Sequence, residues 1–141
     1  GGKSKVWPWY LAGVKFDGRT GRVADTGEDF QSTKVERNVV TVSKADGTTM
    51  KMTFVAPADP QVKAEVRTLK FQQTYNRGES SFTAPGIFAT GADPNEGDFF
   101  VVVTIQKGSG PEVKVAGRGL DAKATVGKRA IRFDGRRIVL D

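Results

Sequence analysis

Apolar side chains take every second position in several segments of this chain, which is the pattern of a β-strand with one buried face. Residues 50–56 follow this pattern, with Met, Met, Phe and Ala on one side. Residues 62–66 follow it too, with apolar residues at the even positions. The next apolar residues, Leu69 and Phe71, stand at odd positions. We expect a bulge or a change of sheet near Thr68 to absorb that shift.

Runs rich in β-branched and aromatic residues indicate further strands. Residues 33–43 form one such run, and residues 98–106 are almost wholly apolar, which predicts a central strand covered on both faces. Residues 79–97 contain three glycines and two prolines, which predict a long irregular connection. The last third of the chain predicts four short strands, at 112–115, 120–126, 129–133 and 137–140.

Turns that contain glycine separate most of these segments. The pairs Asp17-Gly18, Asp46-Gly47 and Asp134-Gly135 favour tight hairpins, and Gly127-Lys128 suits another. No stretch keeps an apolar period of about 3.6 residues between helix caps, so we expect little or no helix. The whole pattern predicts an all-β fold, an antiparallel two-sheet β-sandwich of about ten strands.

Length and composition limit the classes of function. The 141 residues predict a single domain over 1–141, and a start at Gly1-Gly2 without Met suggests a piece excised from or processed out of a longer protein. The chain contains no cysteine and no histidine, which excludes thiolate and imidazole chemistry. We therefore expect no metal and no cofactor. The longest apolar run, 99–105, is too short for a membrane span.

Positive charge is concentrated near the C-terminus. The net charge is +6, and residues 107–141 hold nine Lys or Arg against four Asp or Glu. Strand alternation places Lys114, Lys123 and Arg132 on one outward face, which suits a polyanion such as an acidic polysaccharide. A solvated outer face explains the same pattern. Nucleic acid is disfavoured, because the only aromatic residue in this region, Phe133, is predicted to point inward.

Two groups of aromatic residues are candidates for ligand contact. Trp9 lies with Trp7 and Tyr10 in one short segment, where flat rings suit stacking on sugars or packing at the end of the core. Tyr75 and Arg77 follow a predicted strand, and a tyrosine beside a cation is a candidate general base. The sequence around Arg77 is equally typical of a simple turn.

An acidic loop offers oxygen ligands to a metal ion. Asp93, Asn95 and Asp98 have spacings that a Ca²⁺ ion accepts, although the distal bidentate glutamate of an EF-hand is missing. An ordinary acidic loop is the alternative interpretation.

The C-terminal half resembles a known family. The resemblance lies in the apolar strand 98–108, in Pro111 and Val113, in the segment 124–135, and upstream in 52–57. These segments are similar to the β-sheet end of heparinase II/III-like polysaccharide lyases. The family joins a helical α/α toroid to β-sandwich domains and cleaves acidic glycans by β-elimination, with a tyrosine and a histidine moving the protons.

The resemblance implies an accessory domain rather than a whole lyase, because this chain has no histidine and no predicted toroid. It implies a secreted or periplasmic, non-catalytic sandwich that packs beside the catalytic domain of a parent chain and helps to hold an acidic glycan. The expected glycan-binding residues are Trp9, Tyr75, Arg77, Lys123 and Arg132. The alternatives are a stand-alone lyase-type enzyme that uses Tyr75 and Arg77, and a structural or adhesion module that binds a protein partner through a sheet edge.

Overall fold

A computed structural model describes residues 5–10, 14–17, 22–25, 30–72, 78–93 and 97–141. These ranges contain thirteen strands, one short 3₁₀ turn at Gly119–Asp121 and no α-helix, and hence no helix able to cross a bilayer. The strands are β1 Val6–Tyr10, β2 Val14–Asp17, β3 Arg22–Asp25, β4 Phe30–Glu36, β5 Val39–Lys44, β6 Thr48–Ala56, β7 Gln61–Gln72, β8 Glu79–Thr90, β9 Phe100–Lys107, β10 Val113–Ala116, β11 Lys123–Val126, β12 Arg129–Phe133 and β13 Ile138–Leu140.

The strands form antiparallel sheets, two of which face each other as a sandwich. Sheet I has the order β1-β8-β7, and sheet II has the order β4-β5-β6-β9. Their facing side chains form one buried cluster that contains Val40, Val42, Met52, Phe54, Ile87 and Ala89. The predicted antiparallel β-sandwich is therefore confirmed, although the described strands exceed the ten that we expected.

A third layer packs on part of the other face of sheet II, where β6 ends and β9 begins. Sheet III has the order β10-β11-β12-β13, and β2 pairs with β3 in a separate hairpin. Two fully buried alanines of the C-terminal region, Ala122 and Ala124, pack against Val55 and Phe100 of sheet II. Small side chains allow the two backbones to approach closely, so sheet III lies directly on sheet II.

Residues 100–103 of β9 pack on both faces, as the apolar run predicted, whereas Ile105 is 65% exposed, contrary to the prediction. Val101 and Val103 pack on the cluster shared with sheet I, whereas Phe100 and Val102 belong to the cluster shared with sheet III. Its place in the sheet differs from the prediction, because β9 is an edge strand of sheet II and pairs only with β6 among the described strands.

A bulge in β6 directs its side chains into both clusters. The register with β9 shifts between Phe54 and Ala56, so that Phe54 pairs with Val101 and Ala56 pairs with Phe100. Phe54 faces sheet I, and Val55 and Ala56 both face sheet III. The bulge expected near Thr68 was wrong, because β7 pairs with β8 in one continuous register from Gln61 to Gln72.

The run 33–43 is a hairpin rather than one strand. β4 ends at Glu36 and β5 begins at Val39. Arg37 in the turn has a φ of 52°, a left-handed conformation. Asn38 fixes the turn to β6, because its Nδ2 donates to the Phe54 carbonyl at 3.1 Å and its own carbonyl accepts from the Phe54 N–H at 2.8 Å.

The irregular connection expected over 79–97 was also wrong, because β8 fills most of it and is the central strand of sheet I. Its glycine at position 86 serves close packing rather than a turn. A Cβ there would lie 2.8 Å from Cζ of Phe88 and 3.3 Å from the carbonyl oxygen of Trp9. The Phe88 ring is only 3% exposed, and the Arg67 guanidinium carbon lies 3.5 Å from its centroid. Strand β8 therefore needs glycine beneath this ring.

We predict that Gly86→Ala destabilises the fold by about 1–3 kcal/mol, because the new methyl group overpacks a site whose ring has little room to move. Urea unfolding measures the free-energy change. Gly78→Ala is the matched control, since no described atom lies within 4 Å of a Cβ built there. A Gly86→Ala chain as stable as the control would contradict this packing.

Three of the four predicted glycine turns lie in the described ranges and are confirmed. Gly47, Gly127 and Gly135 all have positive φ, and the Asp17-Gly18 pair extends beyond the described residues. In the turn after β5, Asp46 Oδ1 accepts the Thr48 N–H at 2.9 Å. The pKa of Asp46 lies far below its usual range, because its carboxylate accepts this bond, another from the Thr48 hydroxyl and a third from Lys107.

The β12–β13 turn is held in the same way. Asp134 Oδ1 accepts the N–H groups of Arg137 and Arg136, each at 2.9 Å, and these bonds lower the pKa of Asp134. Both turns therefore prefer ionised aspartates.

We predict that the double variant Asp46→Asn/Asp134→Asn loses less stability in acid than the wild type. A carboxyl group whose pKa is lower in the folded state stabilises the fold above its unfolded pKa of about 3.9, and this contribution disappears as the pH falls through the folded pKa. Asparagine keeps the acceptor oxygen but does not titrate. Urea unfolding at neutral pH and near pH 3 measures the free energy of unfolding of both chains. An equal decrease in that free energy in both chains would contradict the prediction.

Candidate functional site

The outer face of sheet III presents the basic residues expected from strand alternation. Lys123 on β11 pairs directly with Arg132 on β12, and Lys114 on β10 pairs with Thr125 on β11. All four residues lie on the face opposite Ala124, which is fully buried against sheet II. Lys114, Lys123 and Arg132 therefore form a row across three neighbouring strands. We call this surface the basic face.

The basic face keeps an excess of positive charge. Arg132 Nε donates to Asp141 Oδ2 at 3.1 Å, and both side chains are nearly half exposed. Within the described ranges, neither Lys114 nor Lys123 forms an ion pair. Two lysines and one partly neutralised arginine are therefore available to an anion from solvent.

The tryptophans lie in a different layer from the basic face. Trp7 packs edge-on against Phe54 with ring centroids 5.2 Å apart, so it belongs to the core between sheets I and II. Trp9 stacks on Trp7 at 5.6 Å and is 36% exposed. Because sheet II lies between sheets I and III, the structure does not bring Trp9 together with Lys123 and Arg132.

The remaining predicted site residues stay predictions. Tyr75, Arg77 and Asn95 lie outside the described residues. Asp93 and Asp98 are described and both are exposed. No group of three or more metal-binding side chains occurs in the described part of the chain, but the calcium hypothesis includes Asn95 and so remains untested.

A polar cleft at one end of the sandwich was missed by sequence reasoning. Its larger part, of about 550 Å³, lies between the β4–β5 turn and the β6–β7 connection, and Arg37 and Asp59 border it. A smaller part of about 350 Å³ reaches the loops after β8 and β10, where Arg118 donates to Asp59 Oδ2 at 3.0 Å. Four separate segments build this cleft, so no local motif indicates it. Its arginines and aspartates suit a polar ligand but show no excess of one charge.

Comparisons of this chain with protein-family models, with curated proteins and with solved structures found no match. The features of the chain that bear on its function are therefore the basic face, the tryptophans and the cleft.

We predict that the two tryptophans differ in their contributions to stability. Trp7→Ala should cost about 3 kcal/mol, because it leaves a cavity beside Phe54. Trp9→Ala should cost less, about 1–2 kcal/mol, because Trp9 is already 36% exposed and its loss leaves a more open space than the loss of Trp7. Urea unfolding of the two variants gives both values. Equal costs, or a larger cost for Trp9, would contradict the assignment of Trp7 to the core.

Proposed function

We propose that this chain is a non-catalytic β-sandwich module that binds an acidic polysaccharide on the basic face of sheet III. The observation that supports the proposal best is the row of Lys114, Lys123 and Arg132 across three adjacent strands. In the proposed setting, the module belongs to a secreted or periplasmic parent chain similar to the heparinase II/III-like lyases and packs beside its catalytic domain.

The spacing of the row suits a repeating anion. Directly opposite residues such as Lys123 and Arg132 have Cβ atoms about 5 Å apart, and diagonal neighbours such as Lys114 and Lys123 lie about 7–8 Å apart. A polymer with one carboxylate or sulfate group on each sugar presents several anions to such a row at once. The arginine is able to bind an anion through two parallel hydrogen bonds, whereas each lysine acts as a point charge.

The distribution of charge favours the same surface. Residues 107–141 have a net charge of +5, from nine basic and four acidic residues, while the whole chain has +6. Electrostatic attraction toward this region would raise the rate of encounter with a polyanion, and salt would weaken it. The resemblance of 98–108 and 124–135 to the β-sheet end of the lyases supports a glycan rather than another polyanion.

We predict that immobilised polyuronate and heparin bind the chain saturably at low salt and that added salt weakens the binding. Lys123→Ala should weaken it about fivefold to tenfold, the effect of losing one charge-assisted contact. Lys63→Ala is the matched control, because Lys63 is an exposed strand lysine of sheet I. Equal losses in the two variants, or no saturable binding, would contradict the proposal.

The same preparations distinguish a binding module from a stand-alone lyase that uses Tyr75 and Arg77. Incubation with polyuronate should leave the polymer intact. Release of unsaturated sugar ends by the wild type, abolished by Tyr75→Phe, would replace the binding proposal with the enzyme alternative.

A further inference from the structure

The outer edge of β13 is one of the strand edges that have no partner strand among the described residues. Ile138 and Leu140 lie on the apolar side of sheet III, yet they are 50% and 63% exposed. Among the described strands, only β12 pairs with β13. In contrast, the edge strand β1 contains Pro8, which lacks an N–H, and β7 presents charged side chains to solvent. Proline and charge are common protections against edge pairing, and neither lies within β13.

The hydrogen bonds to β12 determine which backbone groups of β13 point outward. Asp141 and Ala130 exchange both backbone hydrogen bonds, at 2.8 and 3.2 Å, and Arg137 accepts one from Asp134 at 3.0 Å. Because hydrogen-bonded and non-hydrogen-bonded pairs alternate along an antiparallel ladder, Ile138 and Leu140 direct their N–H and C=O groups away from β12. These groups are available to another strand.

The sequence of this edge is complementary to itself. We propose that β13 pairs antiparallel with β13 of a second copy about a two-fold axis at Val139. This register places Ile138 opposite Leu140 of the second copy and Arg137 opposite its Asp141. Each of the two Ile–Leu pairs exchanges two backbone hydrogen bonds, which are the ones that the outward groups require. The same surface serves both copies, as in most closed dimers.

The charged residues that flank β13, Arg137 and Asp141, suit this pairing. The Arg137 side chain is 82% exposed and forms an ion pair with Asp134, with Nε 3.7 Å from Oδ2, an exposed contact that a second partner is able to replace. Asp141 uses Oδ2 for Arg132, so Oδ1 remains available for Arg137 of the second copy. The opposite charges favour a second copy of this chain over an unrelated strand, and they oppose a register shifted by two residues.

The pairing would also place two basic faces side by side. A two-fold axis normal to the sheet keeps both outer faces on one side, so Lys123 and Arg132 of each copy would belong to one extended surface. The contact involves few residues, so we expect a weak dimer that forms at high protein concentration.

The test exchanges the two charges. Sedimentation equilibrium of the wild type should show a dimer that dissociates on dilution. Arg137→Asp or Asp141→Arg alone opposes like charges and should weaken dimerisation at least tenfold. An equimolar mixture of the two variants should restore it, because the opposite charges then meet in both pairs. Arg136→Asp is the control, and it should dimerise as the wild type does.

A second measurement on the wild type alone avoids any effect of the substitutions on folding. Amide exchange of Ile138 and Leu140 should slow as the protein concentration rises, while exchange of the other sheet edges stays constant. A wild type that remains monomeric to millimolar concentration would overturn the proposal. The proposal would also be overturned if the mixture of the two folded variants did not dimerise. It would likewise be overturned if the exchange rates of these two amides did not depend on protein concentration.

Discussion

The structure depends on sheet II packing on both of its faces where β6 ends and β9 begins. Strand alternation directs Phe54 into the core with sheet I and Val55 toward sheet III, and the β6 bulge places Ala56 on the same side as Val55. Without the second face, the fully buried Ala122 and Ala124 would have no surface to pack against, and the C-terminal sheet would expose its apolar side. The layer that presents the basic residues is therefore held in place by packing on its opposite side.

Under the proposed function, this arrangement would separate stability from recognition within one sheet. On β11, Ala124 is buried and Lys123 is exposed, so adjacent residues differ in what they contact. Substituting an outward lysine removes no core contact, so the proposed binding can be tested there with little change in folding. The tryptophans lack this separation, because Trp7 contributes to the core and supports Trp9 through stacking.

Short-range patterns predicted the parts of the fold that short-range forces determine. The alternation of apolar residues around Met52 predicted the buried face of β6, and the Asp-Gly pairs predicted two confirmed turns. The alternation of inward and outward positions predicted that Lys114, Lys123 and Arg132 share the basic face. Strand β8 was missed because glycine and proline are local signals, whereas its conformation is determined by long-range pairing with β7 and by the Phe88 ring.

The third layer and the end cleft were beyond the same reasoning. Ala122 and Ala124 are small residues that fit many environments, and nothing in their sequence indicates that they pack on sheet II. The cleft needs Arg37, Asp59 and Arg118 to meet from segments far apart in the chain. The self-complementary edge of β13 became visible only when the ladder with β12 showed which groups point outward.

Nuclear magnetic resonance mapping of an acidic oligosaccharide tests the central claim most directly, because it locates the ligand on the folded chain. Titration with a uronic acid oligomer should shift the resonances of Lys114, Lys123, Thr125 and Arg132 together, with little change on sheet I. Shifts confined to the surroundings of Trp9, or to the cleft beside Asp59, would contradict binding on the basic face.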